Sequence, residues 1–273
     1  MNLTEAVIIG IVQGITEWLP VSSEAVITLI LTQVLGTDPG QALNASIFLH
    51  TGTMIAAFLY FRKEYTEIIK YCLNKALKPQ EILDNPRKLT QEENGRLTIF
   101  LGSSTALTGI IGATIYFTGI KAAVQNPTIF YILMSAALFM TGILRLYNKS
   151  ESREYSSVNL KDSIFVGILQ GFSIIPGVSR SGTTAFGFLF REFDARSAFH
   201  LSFLMSVPAV AAGSIGLELF TEFNFQPIYL VSAAVAGIVG YLTVDAVLEI
   251  ADRAEIAWIC FALGILALLP TII

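Results

Sequence analysis

Uncharged stretches alternate with short charged segments along this chain, and their lengths separate two kinds of helix. Six charge-free runs are long, at 39–61, 97–120, 122–144, 197–217, 223–244 and 256–273. A helix needs about 20 apolar residues to cross a bilayer, so these runs predict six transmembrane helices. Four further runs, 6–16, 25–37, 163–179 and 181–190, fall short of that length and form two adjacent pairs. Each pair is interrupted by helix-breaking and polar residues, Leu19-Pro20-Val21-Ser22-Ser23-Glu24 in the first and Ile175-Pro176-Gly177-Val178-Ser179-Arg180-Ser181-Gly182 in the second. Proline and glycine disrupt the helical ladder, and irregular backbone at membrane depth is tolerated only inside protein or against a wet cavity. The pairs read as re-entrant helical hairpins, with two ordinary short spans and an exposed loop as the alternative.

Composition agrees with a membrane protein. Of the 273 residues, 53% are hydrophobic and 14% charged, against about 25% charged in soluble domains. Mean hydropathy is +0.65. The net charge of −4 removes the basic footprint of a nucleic-acid binder. Whichever way the short pairs are read, segments 62–96, 145–161, 191–196 and 249–255 fall on one side, and they carry fifteen of the seventeen Lys and Arg. The positive-inside rule makes that side cytoplasmic and places both termini outside. The first hairpin then enters from outside and the second from the cytoplasm. Met1-Asn2-Leu3-Thr4-Glu5 lacks a positive n-region, so no signal peptide is expected. Cys72 and Cys260 suggest neither a disulfide framework nor a thiolate metal site.

Opposite directions of insertion predict a repeat, and one is visible at the offset that lays Gly10 on Gly167. Gly10-Ile11-Val12-Gln13-Gly14 matches Gly167-Ile168-Leu169-Gln170-Gly171, and Val21-Ser22 falls on Val178-Ser179. The expected fold is an all-α polytopic membrane protein with an inverted-topology repeat: residues 1–161 and 162–273 each supply one hairpin and three spans. Such folds place their site near the midplane, where interrupted helices meet. The charged segment 62–96, with Pro79 and Pro86, reads as a cytoplasmic loop containing a short amphipathic helix.

Helices that begin inside the membrane aim free N–H groups and the positive end of their dipoles at the site, which suits an anion. Both tips are rich in hydroxyls, and Arg180 adds a planar charged fork suited to phosphate. A charge at that depth is costly, so Arg180 reads as functional, with Glu17 as its partner when no anion is bound; Gln13 shares a helix face with Glu17. The stretch Gly177–Thr184 has P-loop glycine spacing without the lysine, and it fails the nucleophile-elbow pattern. His50 and His200 lie in different spans and read as satisfied core imidazoles rather than metal ligands.

Gln13-Gly14-Ile15-Thr16-Glu17-Trp18-Leu19-Pro20-Val21-Ser22-Ser23 and Pro176-Gly177-Val178-Ser179-Arg180-Ser181-Gly182-Thr183-Thr184 resemble the two signature motifs of the undecaprenyl-diphosphate phosphatases of the BacA/UppP type. The flanking segments Leu49-His50-Thr51-Gly52-Thr53 and Ser202-Phe203-Leu204-Met205-Ser206-Val207-Pro208 are similar to that family too. The resemblance implies six spans, two re-entrant hairpins and a site facing outside. It also implies hydrolysis of a polyprenyl diphosphate, recycling the lipid carrier for envelope glycan synthesis, with bacitracin resistance as a consequence. A divalent cation, Mg²⁺ or Ca²⁺, is implied as cofactor. Where the family usually carries a histidine after the two serines, this chain has Val26.

On this basis Glu17 is the expected base, acting on water or a tip serine, and Arg180 stabilises the transferred phosphoryl group. Ser23 or Ser179 is the candidate nucleophile. Gln13, Ser22, Gly177, Ser181, Gly182 and Thr184 are expected to line the phosphate site, and Glu17 and Glu24 to hold the metal, although Glu24 equally suits a first-turn carboxylate. The prenyl tail is expected in an apolar groove open to lipid. A carrier moving an anionic lipid without hydrolysis is the other reading. The sequence is compatible with a monomer or a homo-oligomer.

Overall fold

The computed structural model describes residues 1–78, 80, 88–146, 152–221, 223–250 and 256–271. Those residues are helical apart from connecting turns and one isolated bridge between Arg153 and Phe193. The first short pair forms α1 (Leu3–Thr16) and α2 (Ser23–Leu29), the latter extended by a π-turn to Val34. Then come α3 (Pro39–Tyr60), the amphipathic α4 (Arg62–Leu77), α5 (Glu93–Ile115, continued by a π-turn Tyr116–Ile120) and α6 (Pro127–Arg145). The second pair forms α7 (Leu160–Gly171) and α8 (Arg180–Phe190), followed by α9 (Ala195–Leu204), α10 (Ser206–Phe220), α11 (Ile228–Ile250) and α12 (Ile256–Leu268). Pro79 and Pro86 lie outside the described residues.

Five segments are long and apolar enough to cross a membrane: Pro39–Tyr60, Glu93–Ala123, Pro127–Leu144, Ala195–Gly216 and Ile228–Ala246. The chain is thus a multi-pass membrane protein by length and composition. The last expected span appears among the described residues only as a shorter apolar helix, Ala257–Thr271. Large apolar side chains on these helices, among them Ile55, Phe58, Ile110, Met140, Ile238 and Trp258, are exposed, as lipid-facing surfaces require.

The interrupted elements start in the same way. Asn2 caps α1 and makes a reciprocal box with Glu5, and Asn159 caps α7 and makes one with Asp162. Ser22 and Ser179 cap α2 and α8. The offset that lays Gly10 on Gly167 also lays each first-pair cap on its second-pair counterpart. The packing alternates likewise: α1 and α3 lie on α11, α7 and α10 lie on α5, and α6 lies on α12.

Helices in lipid gain little from burying apolar surface against each other and associate through close packing, which small residues permit. The crossing of α3 and α11 is one such place: a Cβ added at Gly52 would stand 1.9 Å from the carbonyl oxygen of Ala233. Gly10 and Gly14 of α1 meet the Ser232 and Ala236 carbonyls of α11 at 2.6 and 2.8 Å by the same measure.

One predicted span departs from expectation. The run 197–217 is divided at Met205 into α9 and α10. Pro208 has no N–H to offer Leu204 one turn back, and the hydroxyl of Tyr65, from α4, donates to the Leu204 carbonyl at 2.5 Å instead. At the start of α7, fully buried Asp162 accepts from Arg153 at 2.7 Å and Arg191 at 2.8 Å. This triad ties the two outer ends of the second pair together.

Candidate active site

The two interrupted pairs meet at their tips. The Ser181 hydroxyl donates to the Leu19 carbonyl at 3.0 Å, and a Cβ on Gly182 would touch Pro20 at 3.3 Å. Between the tips is a cavity of about 40 Å³, lined by Glu17, Ser22, Ser23, Glu24, His50, Ser173, Val178, Ser179, Arg180 and Ser181. A second cavity of about 400 Å³ shares Glu24, His50, Ser173 and Arg180 with it. It runs between α3, α5, α7 and α10 along Leu43, Ile47, Phe117, Ile120 and Leu219, and its walls are mainly apolar.

Glu17 stands at the end of α1, where Trp18 anchors the chain by donating to the Gly240 carbonyl at 3.0 Å. Its carboxylate is 4% exposed and fully engaged. Oε1 accepts from Arg180 Nη2 at 2.6 Å, while Oε2 accepts from the Ser23 hydroxyl at 2.8 Å and from Gln13 Nε2 at 3.0 Å. The expected pairing of Glu17 with Arg180 is therefore present, and Gln13 acts on the carboxylate rather than facing the small cavity. The other nitrogen of Arg180, Nη1, donates to the Ser202 carbonyl at 3.1 Å. That carbonyl sits just before the break between α9 and α10, so the break both orients and anchors the guanidinium.

His50 was expected in the core. Instead α3 places its Nε2 3.1 Å from Glu17 Oε2 and 3.3 Å from Ser23 Oγ. Nδ1 lies 2.7 Å from the Ser46 carbonyl, which can only accept, so Nδ1 carries a proton and Nε2 is the atom turned to the site. The sequence signal was available: a histidine inside a long charge-free run is expensive unless it lines a cavity or finds a partner.

The tip hydroxyls divide into two groups. Ser22 and Ser23 line the small cavity, and so do Ser179 and Ser181, whose hydroxyls lie 3.3 Å apart. Ser179 also caps α8 by accepting from Gly182 N at 3.1 Å. Ser22 adopts positive φ of 35°, a strained conformation for a non-glycine residue that often accompanies a functional site. Thr184, expected on phosphate, lies outside this group. It is buried, donates to the Arg180 carbonyl and sits 2.6 Å from the Ser202 hydroxyl, so it braces the arginine from behind. Gly177 supplies the turn instead of a ligand: its φ is +102°, and a Cβ there would come within 2.4 Å of the Met134 carbonyl.

Among the described residues no three His, Cys, Asp or Glu side chains form a ready metal cage. The two carboxylates named for a cation differ. Both oxygens of Glu17 are taken, whereas Glu24 Oε1 is buried without a hydrogen-bond partner. Mg²⁺ commonly binds one or two carboxylates and completes its shell with phosphate oxygens and water. Glu24 fits that pattern.

Residues 6–266 match the family described as bacitracin resistance protein BacA. The chain is similar to the undecaprenyl-diphosphatase of Methanococcoides burtonii, with 36% identity over 98% of both chains. It is 33% identical to the undecaprenyl-diphosphatase of Methanopyrus kandleri, over 98% of this chain and 96% of the relative. A third relative so named, from Methanothrix thermoacetophila, is 33% identical over 99% and 98%.

Proposed function

The chain belongs to the bacitracin resistance protein BacA family, and on that premise we propose that it is an integral-membrane phosphatase. It hydrolyses a polyprenyl diphosphate of the undecaprenyl type to the monophosphate and inorganic phosphate, returning the lipid carrier to envelope glycan synthesis. The observation that carries this reading is the cluster where the tips meet: one guanidinium, two carboxylates, one imidazole and five serines around one small cavity. A diphosphate brings negative charge that Arg180 and the N-terminus of α8 are placed to neutralise. On docking it takes over the Arg180 fork from Glu17, which leaves Glu17 as the negative charge of the proton-accepting machinery beside Ser23. The larger, mainly apolar cavity that continues from the site suits the first isoprene units of the tail. A non-hydrolytic carrier is not favoured, since the relatives are named as diphosphatases.

A divalent cation, Mg²⁺ or Ca²⁺, would be held by Glu24 together with diphosphate oxygens, and its chemistry would be charge neutralisation on the phosphates. Glu17 would keep Gln13 and Ser23 as partners. The capping boxes and the alternating packing, all consistent with the sequence repeat, support two inverted halves, 1–161 and 162–273, each with a re-entrant hairpin and three spans. The last helix is the sixth span in this reading. By the positive-inside rule the basic segments favour a cytoplasmic α4 and a site toward the outside.

Two measurements test this reading. Purified full-length protein in detergent should release inorganic phosphate from a long-chain prenyl diphosphate, and EDTA should suppress the release until Mg²⁺ or Ca²⁺ is restored. Absence of release under every metal would favour the carrier. For orientation the chain carries its own probe, because Cys72 on α4 is exposed and Cys260 is buried against Pro20. A membrane-impermeant maleimide added to intact cells should leave Cys72 unlabelled and react once the membrane is opened. Labelling from outside would reverse the topology.

A further inference from the structure

The second tip has to place Arg180, and the backbone that leads to it is not helical. From Ile175 to Ser179 the chain is irregular, and it re-enters a helix only at Arg180. Irregular backbone at this depth must find its hydrogen-bond partners inside the protein. Here α6 supplies two of them from one side chain. The Thr141 hydroxyl donates to the Gly177 carbonyl at 3.1 Å and accepts from the Ser179 N–H at 3.2 Å, and Thr141 is buried. Serine and threonine inside helices commonly bond back to their own helix. Ser104, Thr114 and Thr243 do so, each donating to the carbonyl four residues earlier. Thr141 instead reaches across to another element and bridges the two sides of Val178. The face of α6 below the tip is fitted to it as well: a Cβ on Gly177 would strike the Met134 carbonyl and Ala137, which stand two turns and one turn before Thr141.

We infer that Thr141 is a positioning residue: its two hydrogen bonds fix the turn before Arg180 and so set where the guanidinium and the N-terminus of α8 aim. This deepens the phosphatase reading and rests on it. An arginine side chain has many rotamers, so its reach is defined only when both ends are held. The Ser202 carbonyl holds the guanidinium end through Nη1 at 3.1 Å. Thr141 holds the backbone end by way of Ser179, whose own hydroxyl caps α8 by accepting from Gly182 N at 3.1 Å. Thr141 lines neither of the two cavities, which separates it from the residues placed to meet the diphosphate. The first tip is braced from the same pair of helices. The Cys260 thiol of α12 donates to the Pro20 carbonyl at 3.5 Å, and α12 is tied to α6 where the Ser135 hydroxyl donates to the Gly264 carbonyl at 2.8 Å. One helix pair therefore registers both tips, and Thr141 is its hold on the tip that carries the arginine.

The test is a double-mutant cycle on full-length protein in detergent, with kcat and KM measured on a long-chain prenyl diphosphate and normalised to folded protein. Thr141→Val keeps the size of the side chain and removes the hydroxyl. It should lower kcat by about 10 to 10²-fold, the scale of a small misplacement at a reacting centre, while Thr141→Ser should keep most of the parental rate. Residues that act through one another are not additive. In an Arg180→Lys background, where the fork is already lost, Thr141→Val should therefore cost only a small part of that factor. Parental turnover in Thr141→Val, a Thr141→Ser as slow as the valine variant, or an equal fold-loss in both backgrounds would overturn the inference; the last result would mark a hydroxyl that only stabilises the fold. Should Thr141→Val fail to fold, Thr141→Cys, a weaker hydrogen-bonding group, takes its place in the same cycle. A parent that releases no phosphate would strike at the phosphatase reading itself, and the cycle is then read from the affinity for a methylene-bridged diphosphate analogue, where additivity again overturns the inference and non-additivity supports it.

Discussion

Glu17→Gln is expected to lower phosphate release by about 10² to 10⁴-fold, the usual range for loss of a general-base function, without weakening substrate binding. The substitution keeps the shape of the side chain and its hydrogen bonds with Gln13 and Ser23, but removes the charge that faces Arg180 and His50. Two consequences pull in different directions. Turnover falls because the Ser23 hydroxyl, which donates to Glu17 Oε2 at 2.8 Å, loses its proton acceptor. Binding holds or tightens because Arg180, whose Nη2 is bound to Glu17 Oε1 at 2.6 Å, no longer has to exchange that partner for a phosphate. Removing one partner of a buried pair commonly costs about 3 to 5 kcal/mol of stability, so thermal unfolding with and without a diphosphate analogue should accompany the assay. A smaller analogue-induced stabilisation in Glu17→Gln than in the parent, or parental turnover, would refute this account.

Arg180→Lys keeps the positive charge and is expected to lose activity by about 10² to 10³-fold, the scale of removing one preorganised donor from a transition state. In the structure Nη1 is held by the Ser202 carbonyl at 3.1 Å while Nη2 reaches forward into the site. A lysine offers one compact ammonium and cannot be held at the back and donate at the front in the same geometry. The loss should appear in kcat as well as KM, since the fork positions charge where it develops. Equal turnover in the two proteins would remove Arg180 from the assigned role.

Most of the architecture was legible because membrane helices advertise themselves by length between charges, and the interrupted pairs by prolines and glycines where no span could tolerate them. The meeting of Glu17 with Arg180 was legible for a related reason: a buried guanidinium has to find an anion, and the first tip offered one. The position of His50 beside Glu17 was not foreseen, although its imidazole is satisfied on both nitrogens as expected. A lone histidine gives no spacing pattern, and where it comes to lie depends on how α3 rotates against α2, which the sequence does not encode locally. The Thr184 reading missed because hydroxyls near a helix start are readily taken by the helix itself, here by the Arg180 carbonyl. The division of the run 197–217 could have been suspected from Pro208, yet the donor that compensates it, Tyr65, comes from the other half of the chain.

The contact of α3 and α11 at Gly52 and Ala233 also bears on how damage to this protein would be interpreted. Backbone meets backbone there, so even one methyl group forces the helices apart, and α3 carries His50 just before it. A saturation scan scored by growth would rank Gly52 with Glu17 and Arg180, although it lines neither cavity. The two kinds of position separate when protein abundance in the membrane is measured beside activity. Substitutions at Gly52 should deplete the folded protein, whereas those at the charged pair should leave more of it in place and silent.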